Sequence, residues 1–239
     1  MLKQRIFYHQ SIKYSFNWNL KNHKQKLDLS NSNRDDLIRL GTYLKTIYQG
    51  AIPNILFNKK LVTRISQFKI KGLKNGFLRS FSKNLIRSGK ITRLDKDTKL
   101  PTYAQKVYDT YQRNQFNKKP GHDPILKNIL INDKDSIAIE VPIWEESNNK
   151  DLTGHIDLIQ IQNNIIKVID YKPEGNFMFS MPQVAAYGFL LKKNLNIKNL
   201  KCMTFNKAEA WEYDPNILLE DINNYLISQN VPRIWENFV

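Results

Sequence analysis

The stretch GHIDLIQIQNNIIKVIDYK, residues 154–172, reads as two β-strands and the turn that joins them. Asn163 and Asn164 tolerate the left-handed conformation that a two-residue hairpin turn of type I′ requires. Such a turn makes partners of Gln162 and Ile165, and the register follows: Ile161 with Ile166, Ile159 with Val168, Leu158 with Ile169, Ile156 with Tyr171. Apolar side chains meet at nearly every step. The exception is Asp157, which the register sets opposite Asp170.

Two carboxylates facing each other across a strand pair repel. At a separation of about 5 Å and an effective dielectric near 20 the cost is about 3 kcal/mol. Lys172 lies two residues beyond Asp170, hence on the same face of the strand. Three arrangements offset the repulsion: a shared proton, the Lys172 ammonium, or a divalent cation of the oxygen-seeking kind, Mg²⁺ or Mn²⁺. The plain alternative is a diagonal Asp157–Lys172 salt bridge at a sheet edge.

Outward from the hairpin, the second half of the chain alternates strands and helices. SIAIEVPIW (136–144) is strand-like and SMPQVAAYGFLLKKN (180–194) helix-like. LKCMTFN (200–206) and AEAWEYD (208–214) follow as short strands, and PNILLEDINNYLISQN (215–230) as a closing helix. Upstream, a helix is expected from near residue 33, with Asp35 and Asp36 in its first turn and an apolar stripe of Leu37, Leu40, Leu44, Ile47 and Tyr48. A second helical region is expected over 61–88, broken near Gly72 and Gly76, with Phe68, Phe77 and Phe81 as core anchors. A third helix runs from Thr102 to Phe116, after Pro101, and NKKPGHDP (117–124) reads as a loop. The element order is α-β-β-β-α-β-β-α behind a basic N-terminal part, and residues 1–27 carry no assignable pattern.

The charge is as uneven as the pattern. The 239 residues carry a net +15, of which residues 1–135 contribute +19 and residues 136–239 contribute −4. Between Lys59 and Lys99 stand 13 basic residues against Asp95 and Asp97. Such a field attracts a polyanion through its phosphates, without separating DNA from RNA. A single Cys202 excludes an intrachain disulfide and an all-cysteine metal or iron–sulfur site. The apolar runs are too short to span a bilayer and MLKQRIFYHQ has no signal-peptide core, so a soluble intracellular protein without a membrane partner is expected. Motifs for nucleoside triphosphates, for a helical zinc site and for a serine nucleophile elbow do not occur.

At Asp157, Asp170 and Lys172 the sequence resembles the PD-(D/E)XK nuclease superfamily, in which an Asp on one strand precedes a (D/E)-x-K that closes the next. It is similar to the RecB-like and Cas4-like branch in particular, because Gln183 and Tyr187 in QVAAY match that branch's downstream Q-x-x-x-Y. The likeness spans about residues 136–206, and the four-cysteine cluster common in Cas4-like proteins has no counterpart. The resemblance implies an α/β (α+β) fold with a restriction-endonuclease-like core: a mixed sheet flanked by helices over 101–239, with a basic, mainly helical nucleic-acid-binding region over 1–100. It implies Mg²⁺- or Mn²⁺-dependent hydrolysis of phosphodiester bonds in DNA, as an exonuclease or a structure-directed endonuclease. Asp157, Asp170 and the Tyr171 backbone carbonyl would hold the ion, Lys172 would orient the nucleophile, and Gln183 and Tyr187 would border the site. For the upstream ligand there are two candidates: Glu140, the one ionised group within an apolar strand, and His122 in PGHDP. His155 lies on the Asp157 face and is expected to be structural. Lys69, Lys71, Lys74, Arg79, Lys83 and Arg87 would grip the nucleic-acid backbone. The alternative is a catalytically inactive protein that keeps the nuclease fold as a binding scaffold.

Overall fold

The hairpin forms in the expected register. Strands β6 (Leu152–Gln162) and β7 (Ile165–Tyr171) pair antiparallel from Gln162↔Ile165 to Leu158↔Ile169. Asn163 and Asn164 turn the chain at φ of 51° and 61°. The computed structural model describes residues 1–29, 34–94, 97–114, 118–146, 151–173 and 176–238.

Around this hairpin the chain builds a mixed sheet. Strand β5 (Ser136–Glu145) pairs antiparallel with β6 on one side. On the other side β8 (Leu200–Phe205) lies parallel to β7, which demands a crossover, and helix α7 (Met181–Leu195) supplies it. Gly188 lets α7 lie close to the sheet, since a Cβ there would fall 2.5 Å from Cys202 Sγ. Strand β9 (Ala210–Tyr213) pairs antiparallel with β8, and a π-helical turn, Leu218–Ile222, precedes a short α8 (Asn223–Ser228) in place of the single closing helix.

The N-terminal part departs most from expectation. Residues 1–19 form a second hairpin, β1 (Leu2–His9) and β2 (Ile12–Asn19), whose β2 joins the sheet beside β5. Strand β4 (Ile91–Arg93) closes the opposite edge, so the order is β1-β2-β5-β6-β7-β8-β9-β4, with two-residue β3 (Thr63–Arg64) attached to β6. Both edges of the sheet thus come from residues 1–100, and no separate helical region divides from the rest at residue 100 among the described residues. The buried Phe7, Phe16 and Trp18 explain why: they belong to the same core as Val168 and Val184.

Helices cover both faces, giving three layers. On one face lie α7 and α2 (Arg34–Gln49), whose Leu37, Leu40, Leu44 and Ile47 are fully buried. On the other lie α5 (Leu100–Arg113) and α6 (His122–Asn132), through residues such as Ala104, Ile125 and Ile129. Helix α5 covers the expected third helix, with Phe116 outside the described residues. Helix α6 corrects the reading of 117–124 as a loop, which ends at Gly121, the N-cap of α6. Of the expected 61–88 helix only α4 (Asn75–Arg87) forms. Between the short α3 (Asn54–Asn58) and α4, residues 61–74 make a strap with one 3-10 turn, Ile65–Gln67, pinned by buried Ile65, Phe68 and Ile70. Phe68 and Phe81 are core anchors, whereas Phe77 is half exposed. No helix among the described residues is long and apolar enough to cross a membrane.

Candidate active site

Ladder pairing between β6 and β7 stops where the acids begin. Beyond Leu158↔Ile169 the Tyr171 amide donates to Oδ2 of Asp157 at 3.0 Å, so a carboxylate takes the place of the next backbone acceptor. The cross-strand neighbour of Asp157 is instead Glu140 on β5, bracketed by the pairs Ile139↔Leu158 and Val141↔Ile156. At that level both strands break period: Ile139 and Leu158 join the core under α5 and α6, whereas Val141 and Ile156 join the opposite one. Glu140 sits at the break with φ of 50°, a conformation that Glu adopts at a cost. Nothing in IAIEVPIW announces it.

The break converges donor atoms. Glu140, His155 and Asp157 each offer one ligand atom, all within 4.8 Å of one another. Oε2 of Glu140 lies 2.8 Å from Nδ1 of His155, but neither atom makes a hydrogen bond of acceptable angle. Asp170 Oδ2 and Gln183 Oε1 are likewise buried without a hydrogen bond, although Lys172 Nζ approaches that Oδ2 to 2.8 Å. Buried polar atoms are normally paired. Four left over in one cleft, three of them acceptors and the fourth an imidazole nitrogen, suit a divalent cation with oxygen and nitrogen ligands. The three-donor group is centred between β5 and β6, and Asp170 lines the same cleft from β7 without being one of the three. His155, expected to be structural, belongs to the three-donor group.

Electrostatics set the two aspartates apart. Burial opposes ionisation of Asp157, but the His122 hydrogen bond, the His122 and Lys172 charges and the Tyr171 amide outweigh it and hold its carboxyl below the usual range. Burial, aided by the Asp157 charge, pushes Asp170 up to about 6 against the pull of Lys172. Lys172 is itself raised: burial disfavours the ammonium, and the Asp170 and Asp157 charges more than restore it. His122 at the start of α6 stands with Nδ1 3.3 Å from Asp157 Oδ2, and that bond, against burial, raises its pKa. Its ring meets Tyr171 edge-on at 5.3 Å. Both candidate upstream ligands therefore reach the site.

Gln183 and Tyr187 project from α7 on one helix face. Nε2 of Gln183 donates to Asp170 Oδ1 and to the Tyr187 hydroxyl, both at 3.4 Å. Gly154 makes room, because a Cβ there would fall 2.5 Å from Tyr187 Cε1. Burial raises the Tyr187 phenol well above its ordinary pKa, so it stays a neutral hydroxyl.

These groups line one cleft of about 340 Å³ together with Tyr14, Arg64, Ser66 and Lys69. Lys69 is among the residues expected to bind nucleic acid; Tyr14, Arg64 and Ser66 carry no sequence signal, and Arg64 lies on a strand of two residues with no periodicity to read. Past Lys69 in the sequence the cations continue. Lys71, Lys74, Arg79, Lys83 and Arg87 are exposed, and none forms an ion pair among the described residues. Arg79, Lys83 and Arg87 recur every four residues along α4, opposite buried Leu78, Phe81 and Leu85. Helix α4 packs near β4, four strands and roughly 20 Å from β6 at the usual strand spacing. No protein-family model and no curated relative matches this chain.

Proposed function

We propose that the chain is a Mg²⁺- or Mn²⁺-dependent nuclease that hydrolyses phosphodiester bonds in nucleic acid, DNA in the first instance. The reading rests on one observation above the rest: buried Glu140, Asp157 and Asp170 and their neighbours share one cleft with hydrogen-bonding capacity left over, and the cleft also holds Arg64 and Lys69 without ion pairs among the described residues. Glu140, His155 and Asp157 would hold the cation, with Asp170 and the Tyr171 carbonyl contributing from β7. When bound, the ion supplies positive charge at the scissile phosphate and a more acidic water.

The chain's own groups do the rest. Lys172 is held protonated by its carboxylate neighbours, so it acts as a hydrogen-bond donor that orients the nucleophile and neutralises charge gathering on phosphate oxygens. It is not the general base. Gln183 fixes the Asp170 carboxylate from α7, and Tyr187 offers a hydroxyl that stays neutral through the reaction. His122 stabilises ionised Asp157 while no cation does. The α4 stripe holds the backbone of the incoming strand in a sequence-independent way.

Labelled single- and double-stranded DNA, incubated with Mg²⁺, Mn²⁺ or EDTA, tests the reading: cleavage is expected with either ion and none with EDTA. Persistent binding without cleavage under every metal condition would leave a binding scaffold. Replacing Arg79, Lys83 and Arg87 with Gln should flatten the salt dependence of binding by about two to three units in log–log slope. An unchanged slope would remove α4 from the binding surface.

A further inference from the structure

The cleft also carries a cation with no ion-pair partner among the described residues. Arg64, at the end of β3, donates from Nη1 to Gln10 Oε1 at 3.4 Å and from Nη2 to the Tyr14 hydroxyl at 3.3 Å. Both partners are neutral and both lie in or beside the turn of the N-terminal hairpin, so they fix the guanidinium without cancelling its charge. Its Nε is buried and has no acceptor. Among the described residues Arg64 makes no ion pair, and neither does exposed Lys69, five residues on in the same cleft. Ser66 adds a hydroxyl to the cleft.

A guanidinium that spends two of its five N–H groups on neutral partners is shaped for an external anion. The planar fork matches phosphate oxygens better than any other protein cation does. A carboxylate ligand fits less well, because Glu140, Asp157 and Asp170 already line the same cleft and a lone carboxylate gains nothing from the cations beyond Lys69. A phosphodiester chain gains at every step. We propose that Arg64, supported by Lys69 and Ser66, anchors a phosphate of the bound strand beside the one that is cleaved, so that the N-terminal hairpin and the strap clamp the substrate against the acids. The word "cleaved" rests on the nuclease reading; the anchor itself does not.

The test is a scan in EDTA with short single-stranded oligonucleotides, each carrying one neutral methylphosphonate linkage. For the parent, one linkage should weaken binding about tenfold or more when neutralised, the scale of a lost charge-assisted contact. For Arg64→Met, binding of the unmodified strand should fall by a similar factor, and that linkage should become indifferent to neutralisation. Arg64→Lys should recover part of the affinity. Because Arg64 also braces the hairpin, Lys69→Met serves as the second variant, and it should couple to the same linkage or its neighbour. If no linkage couples to either residue, the anchor is wrong. Cleavage in Mn²⁺ is read separately. A parent that cleaves without such coupling overturns the anchor alone, and a parent that shows the coupling but never cleaves overturns the nuclease alone.

Discussion

Two clusters of buried polar side chains share this sheet, and they are satisfied to different degrees. One joins β2, α1 (Leu20–Leu29) and α6. There the Trp18 indole donates to His23 Nδ1 at 3.1 Å, which leaves His23 Nε2–H to donate to the Leu37 carbonyl at 3.2 Å. Asn22 donates to the carbonyls of Asp133 and Ser136, Asn19 to that of Leu130, and no buried polar atom of these four side chains is left over. The other cluster is the cleft, where Glu140, His155, Asp170 and Gln183 each keep a buried atom without a hydrogen bond. Full satisfaction marks polar groups that hold elements together. Leftover capacity, on a backbone bent to create it, marks groups kept for something else.

The sharpest way to break this contrast is to truncate the cleft. Asp170→Asn and Lys172→Ala should each lower cleavage by more than 10²-fold, in the range of other lost electrostatic groups, while binding in EDTA stays near that of the parent. Metal-free Asp170→Asn should melt no lower than the parent at pH 8, because burial already works against the carboxylate it removes. Undiminished cleavage in both variants would place the chemistry elsewhere.

The next largest effect belongs to the satisfied cluster. Burial lowers the His23 pKa from 6.5 to about 4, opposed only in part by the Leu37 carbonyl. The unfolded chain therefore binds the proton more readily than the folded one between those values. Stability is full above pH 6.5 and falls as the pH drops through 4, by about 3 kcal/mol in all. Urea titrations from pH 7.5 to 3.5 should show this loss on top of the carboxylate effects, and His23→Gln should remove it. An identical acid limb in the variant would mean that His23 carries no such burden.

The difference between the clusters also governs what the sequence could disclose. The β6–β7 register was legible because Asn163-Asn164 names its turn and apolar partners match on both sides of it. The α2 stripe was legible by its spacing. The first hairpin was not: Gln10 and Ser11 take φ of 50° and 67° without being residues that favour it, and the basic side chains of β1 and β2 hide the buried alternation. Asp157, Asp170, Lys172, Gln183 and Tyr187 could be picked from local motifs, yet their grouping depends on a kink in β5 that no local preference encodes. Arg64 reaches the cleft only through a two-residue pairing with β6. Tertiary contacts decided these features, and single-sequence patterns report local ones.

The smallest effect bears most directly on the comparison, because it asks which cluster Glu140 belongs to. In the left-handed region a Glu costs about 1–2 kcal/mol that a Gly does not. Its carboxylate also stands across from Asp157 in a buried site. Glu140→Gly should therefore raise the unfolding free energy of the metal-free protein by about 1 kcal/mol, while the melting-temperature gain on adding Mn²⁺ shrinks, since one donor is gone. If Glu140 were instead a structural partner of His155, as Trp18 is of His23, the same change would strand a buried imidazole and destabilise the fold at every Mn²⁺ concentration. Thermal melts of parent and variant across a Mn²⁺ titration give opposite signs for the two cases at zero metal, so strain kept for binding and a bond kept for folding are told apart before any cleavage is measured.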